Sequence, residues 1–566
     1  MVARSTSASG HNRSFTSTVE EPVRILGINS VFHDPAAALV VDGDVVAAAE
    51  EERFSRRKHG KQPVPFSAWE QPERAAAWCL REGGISAADV DVVAFSYEPT
   101  LVDNGLDGLD PGWEDLRTTY AERAPRFLRT ALPGIEHARS RFVPHHYAHA
   151  ASAGLAAPFG DCAVLTADGR GESTSMLAGE YRYGKLEVHA QQRLPHSLGL
   201  MYEELTEHLG FHRAGDEYKV MALAAYAKPA HLSDFAELVR VADGGFTVAP
   251  IDWERWAPRR RPGDEMLTAH AELAASVQVR LEEVLLELTR WLHDRTGRRH
   301  LAMAGGIALN CVANTRIADE GPFDEVWVQP AAGDAGTALG AALHVAAESG
   351  EAVRPMSGAD LGRGFGEAEL AAKLDAARVP YERPDDLAEE VAESLARDEI
   401  VGWFQGRAEF GPRALGHRSL LAHPGHAGNL ERLNDVKGRE QFRPIAPMVL
   451  TERAPELFGR GPIPSPYMLF VHDVAEEWRD RIPAVVHVDG TARIQTVDRN
   501  REPLLARVLD AFAARTGLPT VVNTSFNTAG RPMVDDPVDA LECFGASPID
   551  LLVLGPFVVR RPGVRR

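Results

Sequence analysis

Hydrophobic and polar positions along this chain switch between two periods, and the switches mark out its elements. Residues 25–29 form a short continuous apolar run. Residues 36–41 and 45–49 form two more, joined by Asp42-Gly43-Asp44. Runs of that length, bounded by glycine and aspartate, predict a buried strand followed by a hairpin. A polar loop, Ser30-Val31-Phe32-His33-Asp34-Pro35, separates the first strand from the hairpin. A second strand and glycine loop at residues 162–171 repeats the theme, which predicts two related lobes. Across residues 269–296 the period lengthens, with Leu273, Val277, Leu281, Val284, Leu285, Leu288, Trp291 and Leu292 at helical spacing and Gly297 after them. One long amphipathic helix is expected there. It leads into a strand ending at Gly305-Gly306, where backbone N–H groups beside a helix start can approach a nucleotide closely, with Asn310 just beyond.

Glycine, proline and serine gather around residues 350–363, which places a domain boundary there. The division expected is a disordered tail over 1–22, a first domain over 23–355 and a second over 356–566. The second should hold a helix near 386–396 and a strand near 400–404. A chain of 566 residues is too long for one ordinary core, and 44% hydrophobic with 25% charged residues is a globular composition. The apolar run at 551–559 is interrupted by Gly555 and Pro556. It falls far short of the roughly 18–20 residues that span a bilayer, so no membrane helix is expected. The tail is rich in Ser and Thr without an apolar centre, which reads as cytoplasmic and not secreted. Four cysteines without a Cys-x-x-Cys pair read as reduced, buried thiols. A net charge of −20 disfavours nucleic-acid binding, and Arg259-Arg260-Arg261 reads as a solvated loop.

Two constellations carry chemistry. In Pro144-His145-His146-Tyr147-Ala148-His149, a helix would set His145 and His149 one turn apart on one face, close enough to grip one ion. Such a pair also occurs as plain helix packing. Asp168 in Thr166-Ala167-Asp168-Gly169 and Asp334 in Ala332-Gly333-Asp334-Ala335-Gly336 offer carboxylates. Two imidazoles with carboxylates suit iron, zinc or manganese. His146 should project about 100° away from His145 and stand behind the ligands. In the second constellation, residues 405–419 pack Arg407, Arg413 and Arg418 into a loop shaped by glycine and proline, and that spacing reads as an anion site. Lys437, Arg439 and Arg443 add cations, and residues 523–527 add hydroxyl and amide donors.

These residues resemble the O-carbamoyltransferases of nodulation-factor and antibiotic biosynthesis, the NodU/CmcH type, over nearly the whole chain. The resemblance rests on Phe32-His33-Asp34, Glu50-Glu51-Glu52-Arg53-Phe54 with Lys58-His59-Gly60, and the histidine run through Ala153. It rests also on residues 215–223, Gly411-Pro412-Arg413-Ala414-Leu415-Gly416 and residues 523–527. Leu421-Ala422-His423-Pro424-Gly425-His426 departs from the family's Ala-Asp-Pro-Arg pattern.

The resemblance implies mixed α/β and α+β architecture: an amino-terminal ASKHA domain, actin-like and similar to the tRNA threonylcarbamoyl transferase, and a carboxy-terminal YrdC-like domain. The YrdC-like half would turn carbamoyl phosphate and ATP, with Mg, into carbamoyl adenylate. The ASKHA half would pass the carbamoyl group to a hydroxyl of a small molecule. Residue by residue, it implies metal ligands His145, His149, Asp168 and Asp334, most often to iron(II), and carbamoyl phosphate and ATP contacts at Arg413, Lys437, Arg439, Arg443, Ser525 and Asn527. Lys437 and Arg443 would be catalytic there. His33 is the expected general base, a loop histidine bonded to Asp34 being the plainer reading. Lys58, Gly169, Gly305, Gly306, Asn310 and Arg493 are the expected nucleotide contacts of the first half. Two other readings compete: a tRNA threonylcarbamoyl-type or hydrogenase-maturation transferase, and a non-catalytic actin-like nucleotide-binding scaffold. The acidic charge and the missing Cys-x-x-Cys motifs oppose the first. The second has no use for Lys437, Arg439, Ser525 and Asn527.

Overall fold

The computed structural model describes residues 23–60, 70–103 and 111–561, so the tail expected over 1–22 lies outside the described residues. The opening strands form a five-stranded sheet from Arg24–Asn29, Ala36–Val41, Asp44–Glu50, Val92–Phe95 and Arg139–Phe142. Across the sheet they run third, second, first, fourth, fifth. Cys162–Ala167, Thr174–Arg182, Lys185–Arg193, His300–Ala304 and Glu325–Val328 form a second sheet in the same relative order. In both, the first three strands are antiparallel and the last two join in parallel. That duplicated plan is the two-lobed ASKHA architecture, and the repeated strand-and-loop openings in the sequence are its two starts.

The lobes meet through one helix from each. His145–Gly154 lies on the second sheet and Ala335–Glu348 on the first, and the two pack together. The small residues of both allow backbone contact. A Cβ at Gly340 would stand 1.8 Å from the carbonyl oxygen of Ala148, which no side chain can relieve. Gly340→Ala should therefore destabilise the fold by about 1–3 kcal/mol, the usual cost of overpacking, as read by urea denaturation. Unchanged stability would mean that the helices separate freely.

The helix Thr268–Thr296 begins one residue before the expected start and ends at Gly297, whose φ of 62° is the left-handed cap conformation. Its apolar face fills the core of the second lobe.

The carboxy-terminal unit is a seven-stranded mixed sheet in the order Gln495–Val497, Ala446–Leu450, Thr520–Ser525, Arg418–Ala422, Val401–Phe404, Leu551–Leu554, Phe557–Arg560. Helices Leu387–Ala396 and Pro503–Thr516 pack together beside it. This is the YrdC-like half. All four cysteines are buried and free, as the sequence indicated. Among the described residues, no helix is long and apolar enough to cross a membrane.

Candidate active site

The His145–Gly154 helix sets His145 and His149 on one face, Asp168 follows the strand Cys162–Ala167, and Asp334 precedes the helix Ala335–Glu348. His145 Nε2 lies 3.0 Å from Asp168 Oδ2 and 3.7 Å from Asp334 Oδ1. His149 Nε2 lies 3.3 Å and 3.7 Å from the same two atoms. All four residues are buried, and one ligand atom from each falls within 4.8 Å of the others. Both ring nitrogens of His149, and Nδ1 of His145, lack a hydrogen-bond partner. The Nε2 of His149, which faces both carboxylates, is costly in that state unless a cation uses it. Two imidazoles and two carboxylates therefore fit a divalent metal ion of the iron, zinc or manganese type.

His146 stands behind Asp168, with Nε2 3.1 Å from Asp168 Oδ1 and Nδ1 3.0 Å from Thr174 Oγ1. Burial alone would raise the Asp168 carboxyl, but His146, His145 and His149 outweigh it and hold it well below the usual carboxylate range.

His33 sits between two residues with left-handed backbone, Phe32 at φ 66° and Asp34 at φ 51°. Non-glycine residues adopt that conformation only under local constraint. Its Nδ1 is 2.9 Å from Asp34 Oδ2, and its Nε2 is 3.7 Å from Asp334 Oδ2. It bonds Asp34, as the plainer reading has it, and also faces the histidine–carboxylate cluster. Burial lowers its pKa, but Asp334 and Asp34 outweigh burial and raise it well above the ordinary value.

A cavity of about 930 Å³ joins this cluster to the second constellation, with His33, Asp168 and Asp334 on one side and Arg413, Lys437, Arg439, Arg443, Ser525 and Asn527 on the other. Lys437 caps the helix Gly428–Val436. Its Nζ donates to Ser525 O at 2.6 Å, to Ser525 Oγ at 2.7 Å and to Asn527 Oδ1. From Gly411 onward the described lining carries Arg413, Lys437, Arg439, Arg443, Arg493 and Arg531 and no carboxylate. Burial, with Arg439 and Arg443 beside it, pushes Lys437 well below its ordinary pKa. Burial and Arg493 bring Arg413 down to about 9, and burial and Arg443 bring Arg439 down to about 9. Cations crowded in this way demand a polyanion. Pyrophosphate or Mg-ATP should relieve the crowding and raise the Lys437 pKa, so binding should be accompanied by proton uptake. Calorimetry in buffers of different ionisation enthalpy reads that uptake, and buffer-independent heats would refute it.

Several expected contacts need correction. Of the three arginines in residues 405–419, only Arg413 lines the cavity. Arg407 donates to the carbonyls of Gly362, Leu361 and Val46, and Arg418 to those of Gln405, Gly406 and Arg363. Both hold backbone: the Arg418 guanidinium is fully buried and must find acceptors, and the half-buried Arg407 spans to carbonyls of two segments. Gly305 is not among the lining residues; a Cβ there would stand 2.2 Å from Ala167 O, so it is a packing glycine. Asn310 lines the cavity, but its amide caps the helix Cys311–Glu320 and bonds Gln278 on both sides. Lys58, Gly169, Gly306 and Arg493 all line the cavity.

Tyr218 is a lining residue to which the sequence reading gave no role. The Arg443 guanidinium lies 4.6 Å over its ring, and neighbouring Lys219 reaches Glu440 at 2.8 Å, so this segment ties the two halves together. The signal available was an aromatic beside a lysine within the motif of residues 215–223.

Two ASKHA lobes and a cation-lined second unit, meeting at one cavity with a histidine–carboxylate cluster, define a two-domain group-transfer enzyme. Residues 24–138 and 132–343 match the family description "Carbamoyltransferase N-terminus", and residues 392–561 match "Carbamoyltransferase C-terminus". The chain belongs to the carbamoyltransferase family and is a carbamoyl-transferring enzyme. It is 38% identical to an uncharacterised protein of Synechocystis, over 95% of this chain and 96% of that one. It is 38% identical to the nodulation protein NolNO of Sinorhizobium fredii, over 94% of this chain and 80% of that one. Among solved structures, full-length HypF in a phosphate- and nucleotide-bound form overlays at 14% identity and a TM-score of 0.33, covering 60% of this chain and 57% of that one.

Proposed function

We propose that the enzyme carbamoylates a hydroxyl of a small natural product, on a sugar or macrocycle of an antibiotic pathway, using carbamoyl phosphate and ATP. In the carboxy-terminal half, carbamoyl phosphate releases inorganic phosphate to water, and the carbamate formed attacks the α-phosphate of ATP. Carbamoyl adenylate and pyrophosphate result. Lys437, Arg413, Arg439 and Arg443 neutralise the charge gathered on the phosphates, and Ser525 and Asn527 orient Lys437. Mg accompanies ATP.

The adenylate then crosses to the amino-terminal half, along a path bordered by Lys58, Gly169 and Gly306 of that half and by Arg493 of the other. His145, His149, Asp168 and Asp334 would hold a divalent ion, iron(II) by family likeness, and when bound it supplies Lewis-acid polarisation and a template. With a divalent ion on Asp334 the charge that most raises the His33 pKa would be offset, and the neutral imidazole would accept the proton of the acceptor hydroxyl as that oxygen attacks the carbamoyl carbon and AMP leaves. The observation that carries this reading is the single cavity bordered by both constellations. Incubation with carbamoyl phosphate and ATP should yield AMP and pyrophosphate. Formation of ADP alone would overturn the reading.

A further inference from the structure

Three segments far apart in sequence converge at Gly411. Its N–H donates to Glu50 Oε1 at 2.7 Å, and its carbonyl accepts from Arg53 Nη2 at 2.9 Å. Glu50 and Arg53 are themselves paired, at 3.4 Å, and both are buried. Glu50 ends the strand Asp44–Glu50 of the ASKHA half, while Gly411 belongs to the carboxy-terminal half, two residues before Arg413. The third segment is the loop that carries Asp334. A Cβ at Gly411, where φ is 118°, would stand 2.8 Å from Pro330 O and 3.3 Å from the Cα of Ala331. The base of the Arg413 loop is closed independently. Glu409, buried, accepts from the N–H groups of Leu415 at 2.6 Å, His417 at 2.9 Å and Arg418 at 3.2 Å.

We infer that Glu50 and Arg53 are positioning residues that hold the Arg413 loop in register with the Asp334 loop, so that carbamoyl adenylate passes between the halves without meeting bulk water. The inference rests on the function proposed above. Glu50, Arg53 and Gly411 border the cavity, and the side-chain hydrogen bonds and ion pairs of Glu50 and Arg53 are with each other and with Gly411, not with the four proposed metal ligands or with Arg413, Lys437, Arg439 or Arg443. The clasp's two hydrogen bonds grip the amides on either side of the Gly411 Cα, one through its N–H and the other through its carbonyl, which fixes both the place and the turn of the loop there. Each partner also keeps the other oriented, since Glu50 Oε2 lies 3.4 Å from Arg53 Nε while its Oε1 accepts from Gly411. When the register is lost, water attacks the carbamoyl carbon, the bond to the adenylate oxygen breaks, and AMP leaves with carbamate, which decomposes to ammonia and carbon dioxide.

The test needs no acceptor. Carbamoyl-phosphate-dependent exchange of labelled pyrophosphate into ATP reads adenylate formation, and AMP release in the absence of any hydroxyl acceptor reads leakage. In Glu50→Gln, Arg53→Lys and Gly411→Ala the ratio of AMP release to exchange should rise about five- to tenfold over the wild type, with exchange itself retained. A purely structural loss would lower both rates by the same factor and leave the ratio unmoved. An unchanged ratio in all three variants, with exchange intact in the wild type, overturns the clasp. Absence of exchange in the wild type overturns the proposed function instead.

Discussion

Lys437→Ala should lower carbamoyl-phosphate-dependent pyrophosphate exchange at least about a hundredfold, the scale on which removal of one preorganised charge acts at a phosphoryl centre. The ammonium is held by Ser525 O, Ser525 Oγ and Asn527 Oδ1, three neutral acceptors that fix its place without cancelling its charge. No neighbour can substitute. Arg439 Nε is engaged by Asn434 Oδ1 at 2.6 Å, and Arg443 is drawn to Glu440 at 3.5 Å and lies over Tyr218. Lys437→Arg should fail to restore activity, because a planar fork cannot occupy a site built for a compact ammonium with three acceptors. Metal content should match the wild type in both variants. Exchange within a few-fold of the wild type in Lys437→Ala would remove this residue from the chemistry.

Local chemistry was readable from the chain, and distant pairing was not. His145 and His149 declare themselves because a helix repeats every turn, so their shared face follows from their spacing alone. The two lobes were legible for the same kind of reason: short apolar runs closed by glycine loops recur at each start. Arg407, Arg413 and Arg418 show where local pattern stops deciding. They have the same residue type in the same loop, yet two of them turn inward to carbonyls, and only the packing of Gly362 and Arg363 across the loop decides which. Asn310 misleads similarly, since helix capping and ligand contact use the same amide. The grip of Glu50 on Gly411 joins positions 361 residues apart, and no periodicity reaches that far.

His149→Ala should separate the two half-reactions in the opposite sense. Pyrophosphate exchange depends on the cation-lined end of the cavity and should remain near the wild-type rate. Bound metal should fall from about one ion per chain to almost none, and carbamoyl transfer to hydroxylated acceptors should drop at least about a hundredfold, because a lost ligand costs more than the 10–100-fold typical of a lost supporting residue. His146→Ala supplies that milder comparison: it removes the partner of Asp168 Oδ1 and leaves all four ligands in place, so metal should bind more weakly without vanishing. The order of the two losses follows from geometry. His149 Nε2 faces both carboxylates, at 3.3 Å and 3.7 Å, and has no hydrogen bond to satisfy it otherwise, whereas His146 is satisfied on both ring nitrogens by Asp168 and Thr174. Metal analysis and exchange rates on the same preparations decide the matter. Full metal occupancy in His149→Ala, or exchange lost together with transfer, would show that the imidazole pair is not the ion's seat.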